Sequence, residues 1–204
     1  MQDFDPAACR KALPAFHRQG DWPLHALQTP AAVLVGLIAR EQGWCLLLTR
    51  RTDHLHHHPG QISFPGGRHE DDDADLIATA LREAEEEVGI PAGSVDVLGC
   101  LPRFATPSGF CITPVVALLP EQIACRPDPF EVAEVFELPL DCVCDVRNFQ
   151  QHRIHLEGGL RQIPALPFQG RFIWGATAGV LMMLAAFLAQ QGKGSERAPA
   201  RAGD

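Results

Sequence analysis

The chain reads as a mixed α/β layered domain, and three observations predict it. Two short apolar runs, residues 31–39 and 44–49, are separated only by "REQG", the pattern of a hairpin of buried strands. Similar runs at 95–101, 111–119 and 131–138 follow an amphipathic stretch of helical period near 74–88. A second, almost wholly apolar helix is predicted near the end of the chain, within residues 172–189. Strands on both sides of a central helix, with a further helix after them, are the order of elements that layers helices on a sheet.

Residues 1–29 mix helix formers with Pro6, Pro14 and Pro23, which predicts a short helix and an irregular lead-in. The hairpin at 31–49 starts the core. Residues 50–73, "RRTDHLHHHPGQISFPGGRHEDDD", are rich in loop formers and predict mostly loop, with one short strand at 62–64. The central helix is opened by acids that suit a helix N-terminus and closed by Gly89, with Pro91 just beyond. Segments 152–158 and 170–175 are weaker strands. Residues 172–189 hold eighteen positions without a charge, just enough to raise the question of a membrane span. Small residues fill much of their first half and no second such segment exists, so a buried helix or a homodimer interface is expected instead. The tail 192–204, "GKGSERAPARAGD", is small and polar and reads as disordered, leaving one domain over 1–191.

The totals narrow the function. With 204 residues, 46% of them hydrophobic and 21% charged, the chain supports one sizeable core. A net charge of −8 argues against a bulk electrostatic grip on nucleic acid or on an anionic membrane. Seven cysteines without a CxxC pair, at 9, 45, 100, 111, 125, 142 and 144, read as reduced thiols. Together with an acidic N-terminus unlike a signal peptide, this predicts a cytoplasmic protein.

The stretch "REAEEEVG", residues 82–89, sets glutamates at i, i+3 and i, i+4, which costs a helix stability. At 100° per residue, Ile77, Leu81, Ala84 and Val88 form the inward stripe. Glu83, Glu86 and Glu87 then share an arc on the far side, and Glu85 stands apart. Such a cluster is either a solvated acidic face or a hard-oxygen site for Mg²⁺ or Mn²⁺, which take their remaining ligands from water and substrate phosphates. Upstream, "SFPGG" at 63–67 brings bare backbone to the same region.

Gly67, five residues, Asp73, eight residues, then Arg82-Glu83-Ala84-x-Glu86-Glu87-x-Gly89-Ile90 closely resembles the box of the Nudix hydrolases, G-x5-E-x7-R-E-U-x-E-E-x-G-U. It departs in having Asp73 for the first glutamate and one extra residue before Arg82. The resemblance implies an α/β/α sandwich with a mixed sheet and a loop-helix-loop motif, in which Glu83, Glu86 and Glu87 ligate the divalent ion with the Gly67 carbonyl. Arg82 would orient the carboxylates.

The segment 47–67 further resembles the extended motif of the coenzyme A pyrophosphatase branch, matching at Leu47, Leu48, Thr49, Arg51, Gly60, Phe64, Pro65, Gly66 and Gly67. Thr52 and His56 depart from it, His56 standing where arginine is usual. The likeness implies cleavage of coenzyme A, or an acyl form, to 3′,5′-ADP and 4′-phosphopantetheine, with Arg51, His56, Gly60, Phe64 and Gly66 near the substrate. Neutral histidine lacks the bidentate fork of arginine, which keeps another diphosphate such as ADP-ribose open as the substrate. A Nudix-like module that binds a nucleotide without cleaving it is the alternative outside catalysis. Glu83, Glu86, Glu131 and Glu134 are the candidates for general base. Arg50, Arg68 and Arg103 are further candidate phosphate contacts, and the cluster His54, His56, His57, His58 raises a zinc reading that adjacent loop histidines do not support.

Overall fold

The computed structural model describes residues 4–19, 28–55, 58–156 and 159–195. Its centre is one eight-stranded sheet with helices on both faces, the α/β/α arrangement expected from the sequence. The first two long strands, β1 (Thr29–Arg40) and β2 (Gly43–Arg51), form the hairpin, and β1 also lies parallel to β7 (Phe110–Leu119) over ten rungs. That single parallel pair makes the sheet mixed. A strand buried on both faces has to be apolar throughout, and β1 shows it. Ala32, Leu34 and Ile38 face the helix α2 (Leu76–Val88), while Val35 and Leu37 face α1 (Pro6–Gln19) and α4 (Gly175–Ser195).

The hairpin is paired only at its root, Leu37 to Arg40 against Gly43 to Leu46. Beyond that β1 and β2 splay, and the gap is filled by two short strands. β3 (Ile62–Ser63) pairs with β2, and β4 (Gly66–Arg68) with β1, with the Pro65 carbonyl accepting from Leu34 N at 2.8 Å. This wedge carries the "FPGG" turn into the middle of the sheet and beneath α2. β4 falls in a stretch expected to be loop, since two glycines have poor strand propensity; pairing to β1 overrides it.

Helix α2 begins where expected. Asp75 caps it, its Oδ1 accepting from Ile77 N at 2.9 Å and Ala78 N at 2.8 Å, and Gly89 ends it in the left-handed region at φ 70°. Its core contacts are Ala80, Ala84 and Val88, with Ile77 and Leu81 half-buried at the flanks of the stripe.

The remaining sheet strands are β5 (Asp96–Cys100), β6 (Phe104–Ala105) and β8 (Val132–Pro139), followed by the short helix α3 (Leu140–Cys144). A separate three-stranded sheet follows, of β9 (Gln150–Leu156), β10 (Gly159–Phe168) and β11 (Arg171–Trp174). The last helix starts at Gly175, three residues later than the apolar run, because Phe172 to Trp174 pair in β11. It ends at Ser195, past the expected boundary of 191; residues 196–204 lie outside the described residues. α4 packs within its own chain, burying Val180, Leu181, Leu184, Phe187 and Leu188. The buried helix expected in this segment is thus present, with Met182 left 40% exposed on it. No helix of the described residues is long and apolar enough to cross a membrane.

Candidate active site

The glutamates of α2 do not share one solvent-facing arc. Glu87 is buried, 5% exposed, because β4 and the segment 126–132 close over the C-terminal end of the helix. Arg126 N and Asp128 N donate to the carbonyls of Val88 and Glu87 at 2.8 and 2.9 Å. The wheel alone placed Glu87 outward; the second layer of chain over the helix end is what encloses it. Glu83 is mostly buried, Glu86 is 60% exposed at the rim, and Glu85 faces away, accepting from Ala92 N at 3.4 Å.

The two glycines of the turn have separate jobs. Gly66, at φ 156°, donates its N–H to Glu87 Oε2 at 3.2 Å, and a β-carbon there would stand 2.6 Å from Val33 Cα. A β-carbon on Gly67 would collide with the Glu83 carboxylate, 2.7 Å from Oε2. The bare backbone therefore lets two carboxylates close on the turn.

One guanidinium organises the rim. Arg82 donates from Nε to Asp73 Oδ1 at 2.9 Å and from Nη2 to Asp73 Oδ2 at 3.1 Å, and it reaches Glu83 at 3.0 Å and Glu86 at 2.9 Å. It also holds the Arg68 carbonyl at 3.0 Å, tying α2 to β4. Asp73, with its shorter side chain, still takes two hydrogen bonds from Arg82. Its second oxygen accepts from Thr79 Oγ1 at 2.9 Å, and His69 Nδ1 lies 2.9 Å from the same hydroxyl. Neither Thr79 nor His69 was read as part of the site. The available signal was a threonine inside an otherwise apolar helix face, six residues after Asp73.

Electrostatics follow from this packing. Burial pushes the Glu87 carboxyl up to about 8, the Gly66 N–H opposing, Glu83 reinforcing and Arg51 opposing. Burial also raises Glu83, against the pull of Arg82. Asp73 is driven well below the usual carboxylate range by its hydrogen bonds from Arg82. Two adjacent carboxylates held out of water call for a cation. At present Arg51 supplies part of it, 3.5 Å from Glu87 Oε1 and 3.8 Å from Glu131 Oε2.

A model of the NUDIX domain matches residues 28–152, more than half of the chain and the whole of this site. The chain belongs to the Nudix hydrolase family. It is 46% identical over 155 residues to the uncharacterized Nudix hydrolase NudL of Yersinia pestis (strain Pestoides F), covering 76% of this chain and 77% of that protein. The same figures hold for NudL of Yersinia pseudotuberculosis serotype O:1b. Among solved structures, a Nudix hydrolase of M. smegmatis, RenU, superposes with a TM-score of 0.50 at 19% identity, over 86% of this chain and 91% of that one, a likeness of fold.

Within this Nudix fold, the expected substrate contacts are not all gathered beside the glutamates. Phe64 is 2% exposed and packs in the core on the α4 side, so it has no surface to offer a ligand. Gly66 has its N–H engaged by Glu87. His56 and His57 lie outside the described residues. Gly60 sits at φ 68° beside a cleft on the other face of the sheet, where Arg50 and Glu134 also point. Glu131, by contrast, meets Arg51 on the α2 side, so the two candidate bases before and within β8 are separated by the sheet. Arg68 lies over the Phe110 ring, 5.2 Å from its centroid. The seven cysteines are free thiols, as expected.

Nudix hydrolases generally work with divalent ions, and the donor chemistry here fits one: hard carboxylate oxygens, two of them buried at a net cost, beside a turn free of side chains. Among the described residues no three acidic, histidine or cysteine groups already converge closely enough to hold an ion. Glu86 is paired with Arg82 and is the exposed member of the three.

Proposed function

We propose that this Nudix hydrolase cleaves the diphosphate of coenzyme A or an acylated form, giving 3′,5′-ADP and 4′-phosphopantetheine. The observation that carries the catalytic part is the closure of Glu83 and Glu87 onto the side-chain-free turn Gly66–Gly67. The substrate part rests on the match of residues 47–67 to the extended coenzyme A motif, a segment that runs from β2 through β3 to that turn.

In this reading Glu83, Glu86 and Glu87, with the Gly67 carbonyl, hold Mg²⁺ or Mn²⁺. The ion supplies neutralisation of the diphosphate and a more acidic water. Arg82 keeps Glu83 and Glu86 oriented while it is itself locked by Asp73. Arg51 lies between Glu87 and Glu131, where its guanidinium meets the diphosphate as charge builds on it. Glu131, 42% exposed on the same face, accepts the proton of the attacking water.

The engagement of Arg51 by two carboxylates, and histidine for arginine at 56, favour a second reading in which ADP-ribose or another nucleoside diphosphate derivative is preferred. A chromatographic product assay with Mg²⁺ or Mn²⁺ at mildly alkaline pH separates the two. Release of 3′,5′-ADP from coenzyme A, with kcat/KM at least tenfold above that for ADP-ribose and diadenosine polyphosphates, is the expected result. Preference for another diphosphate overturns the substrate, and no cleavage of any of them overturns the hydrolytic reading in favour of a binding module.

A further inference from the structure

The face of the sheet turned away from the glutamates carries a cleft of about 620 Å³, a volume in the range of small-molecule sites. Arg50, Gln61, Glu134, Arg171, Phe172 and Trp174 line it. Alternation along β2 separates it from the catalytic side: Arg51 faces α2, and Arg50, one residue earlier, faces the opposite way, paired across the ladder with Glu134 of β8. The turn from β10 to β11 completes the wall. Gln169 and Gly170 both adopt left-handed φ, 47° and 77°, the two-residue hairpin geometry, and the strand that follows sets Arg171 against Glu134 and Phe136 of β8.

Two guanidiniums share Glu134, and they are held differently. Arg171 pairs with Glu134 and lies over the Phe136 ring, 4.4 Å from its centroid, so it is fixed. Arg50 is loosely held: its Nη1 is 3.3 Å from Asp53, whose side chain is 80% exposed, and its Nε is 3.8 Å from Glu134. Neither contact is a short bidentate pair, so most of its donors remain for an incoming anion. Phe172, 42% exposed with its ring edge-on to His152 at 4.7 Å, and Trp174 add aromatic side chains to the lining of the cleft. A loosely held guanidinium, a fixed one behind it, an amide and two aromatic side chains are the chemistry that receives a planar heterocycle carrying a phosphate monoester.

We propose that the cleft binds the phosphate-bearing nucleoside end of the substrate, with Arg50 as the specificity-determining contact to the phosphate monoester and Phe172 and Trp174 against the base. The identity of that substrate rests on the proposed function; binding in the cleft does not.

The test is calorimetric titration of the full chain, without metal, with 3′,5′-ADP and with adenosine. Wild type and Glu86→Gln are expected to bind 3′,5′-ADP alike. Arg50→Gln should weaken it at least tenfold, Arg50→Lys should recover part of the loss, and adenosine should bind weakly and equally to all four. Thermal midpoints of the variants, read alongside, confirm that each is folded. In turnover, Arg50→Gln should raise KM for coenzyme A about tenfold with kcat within twofold, and leave KM for 3′-dephospho-coenzyme A unchanged. An Arg50→Gln protein that binds 3′,5′-ADP within twofold of wild type, a loss caused by Glu86→Gln alone, or no saturable binding overturns the proposal. Binding lost with Arg50 while coenzyme A goes uncleaved by wild type sustains the cleft and overturns only the substrate reading.

Discussion

At Gly67 a single missing carbon decides where the Glu83 carboxylate rests. Gly67→Ala puts a methyl group into the Glu83 carboxylate, so the helix keeps its fold and the acid loses its position. The expected outcome is a fall in kcat of about a hundredfold or more, since misplacement of about 1 Å at a reacting centre has that effect, with a thermal midpoint close to wild type. Unchanged kcat would remove Gly67 from the site. Asp73 carries a different burden. It is nearly buried and fixes Arg82 through two hydrogen bonds, so Asp73→Asn is expected to destabilise by about 1–3 kcal/mol at neutral pH. Its folded pKa lies below the unfolded value of about 4, so its contribution is complete above about pH 5 and is lost as pH falls toward the folded value. Urea unfolding of wild type and Asp73→Asn should therefore show a gap at pH 7 that narrows by pH 3; a gap that is constant with pH refutes the ionic origin.

Strand alternation does at the level of elements what the glycines do at single positions. β2 and β8 direct Arg50 with Glu134 to one face, while Arg51 meets Glu131, which precedes β8, on the other. Sequence spacing left the two acids equivalent as proton acceptors, and the faces separate them. Glu131→Gln is expected to lower kcat about 10²–10⁴-fold, whereas Glu134→Gln should leave kcat within a few-fold and act on KM; steady-state kinetics of both with the best diphosphate decides it, and equal losses would dissolve the distinction. The strongly patterned elements were legible: the hairpin, the α2 helix with its Gly89 stop, and β7 all fall within two residues of their expected bounds. β10 was not, because Pro164 and Pro167 mark it as non-strand. Each proline sits where β10 has a neighbour on one side only, Pro164 against β9 and Pro167 against β11, so neither interrupts a doubly paired stretch. The burial of Glu87 was hidden for a related reason, since a helical wheel knows one partner surface and α2 has two.

The whole molecule is held by two cores on opposite faces of one sheet, and the α2 core has carboxyl groups built into its edge. Glu87 sits next to Ala84 and Val88, which are fully buried, and that burial pushes its carboxyl up to about 8. A cation at Glu83 and Glu87 therefore acts on the stability of the fold as well as on any reaction, because it binds the native arrangement and not the unfolded chain. At Mg²⁺ or Mn²⁺ of about 100 times the dissociation constant, the gain is about 2.7 kcal/mol, or roughly 5–10 °C in thermal midpoint for a chain of this size. The shift should vanish with a chelator and in Glu83→Gln, and survive in Arg50→Gln, which lies on the other face. Scanning fluorimetry across a metal series gives the answer without any substrate. A midpoint indifferent to both ions, or one that rises equally in Glu83→Gln, would mean that the glutamates of α2 hold no ion and that the charge balance at their turn is met by Arg51 and Arg82 alone.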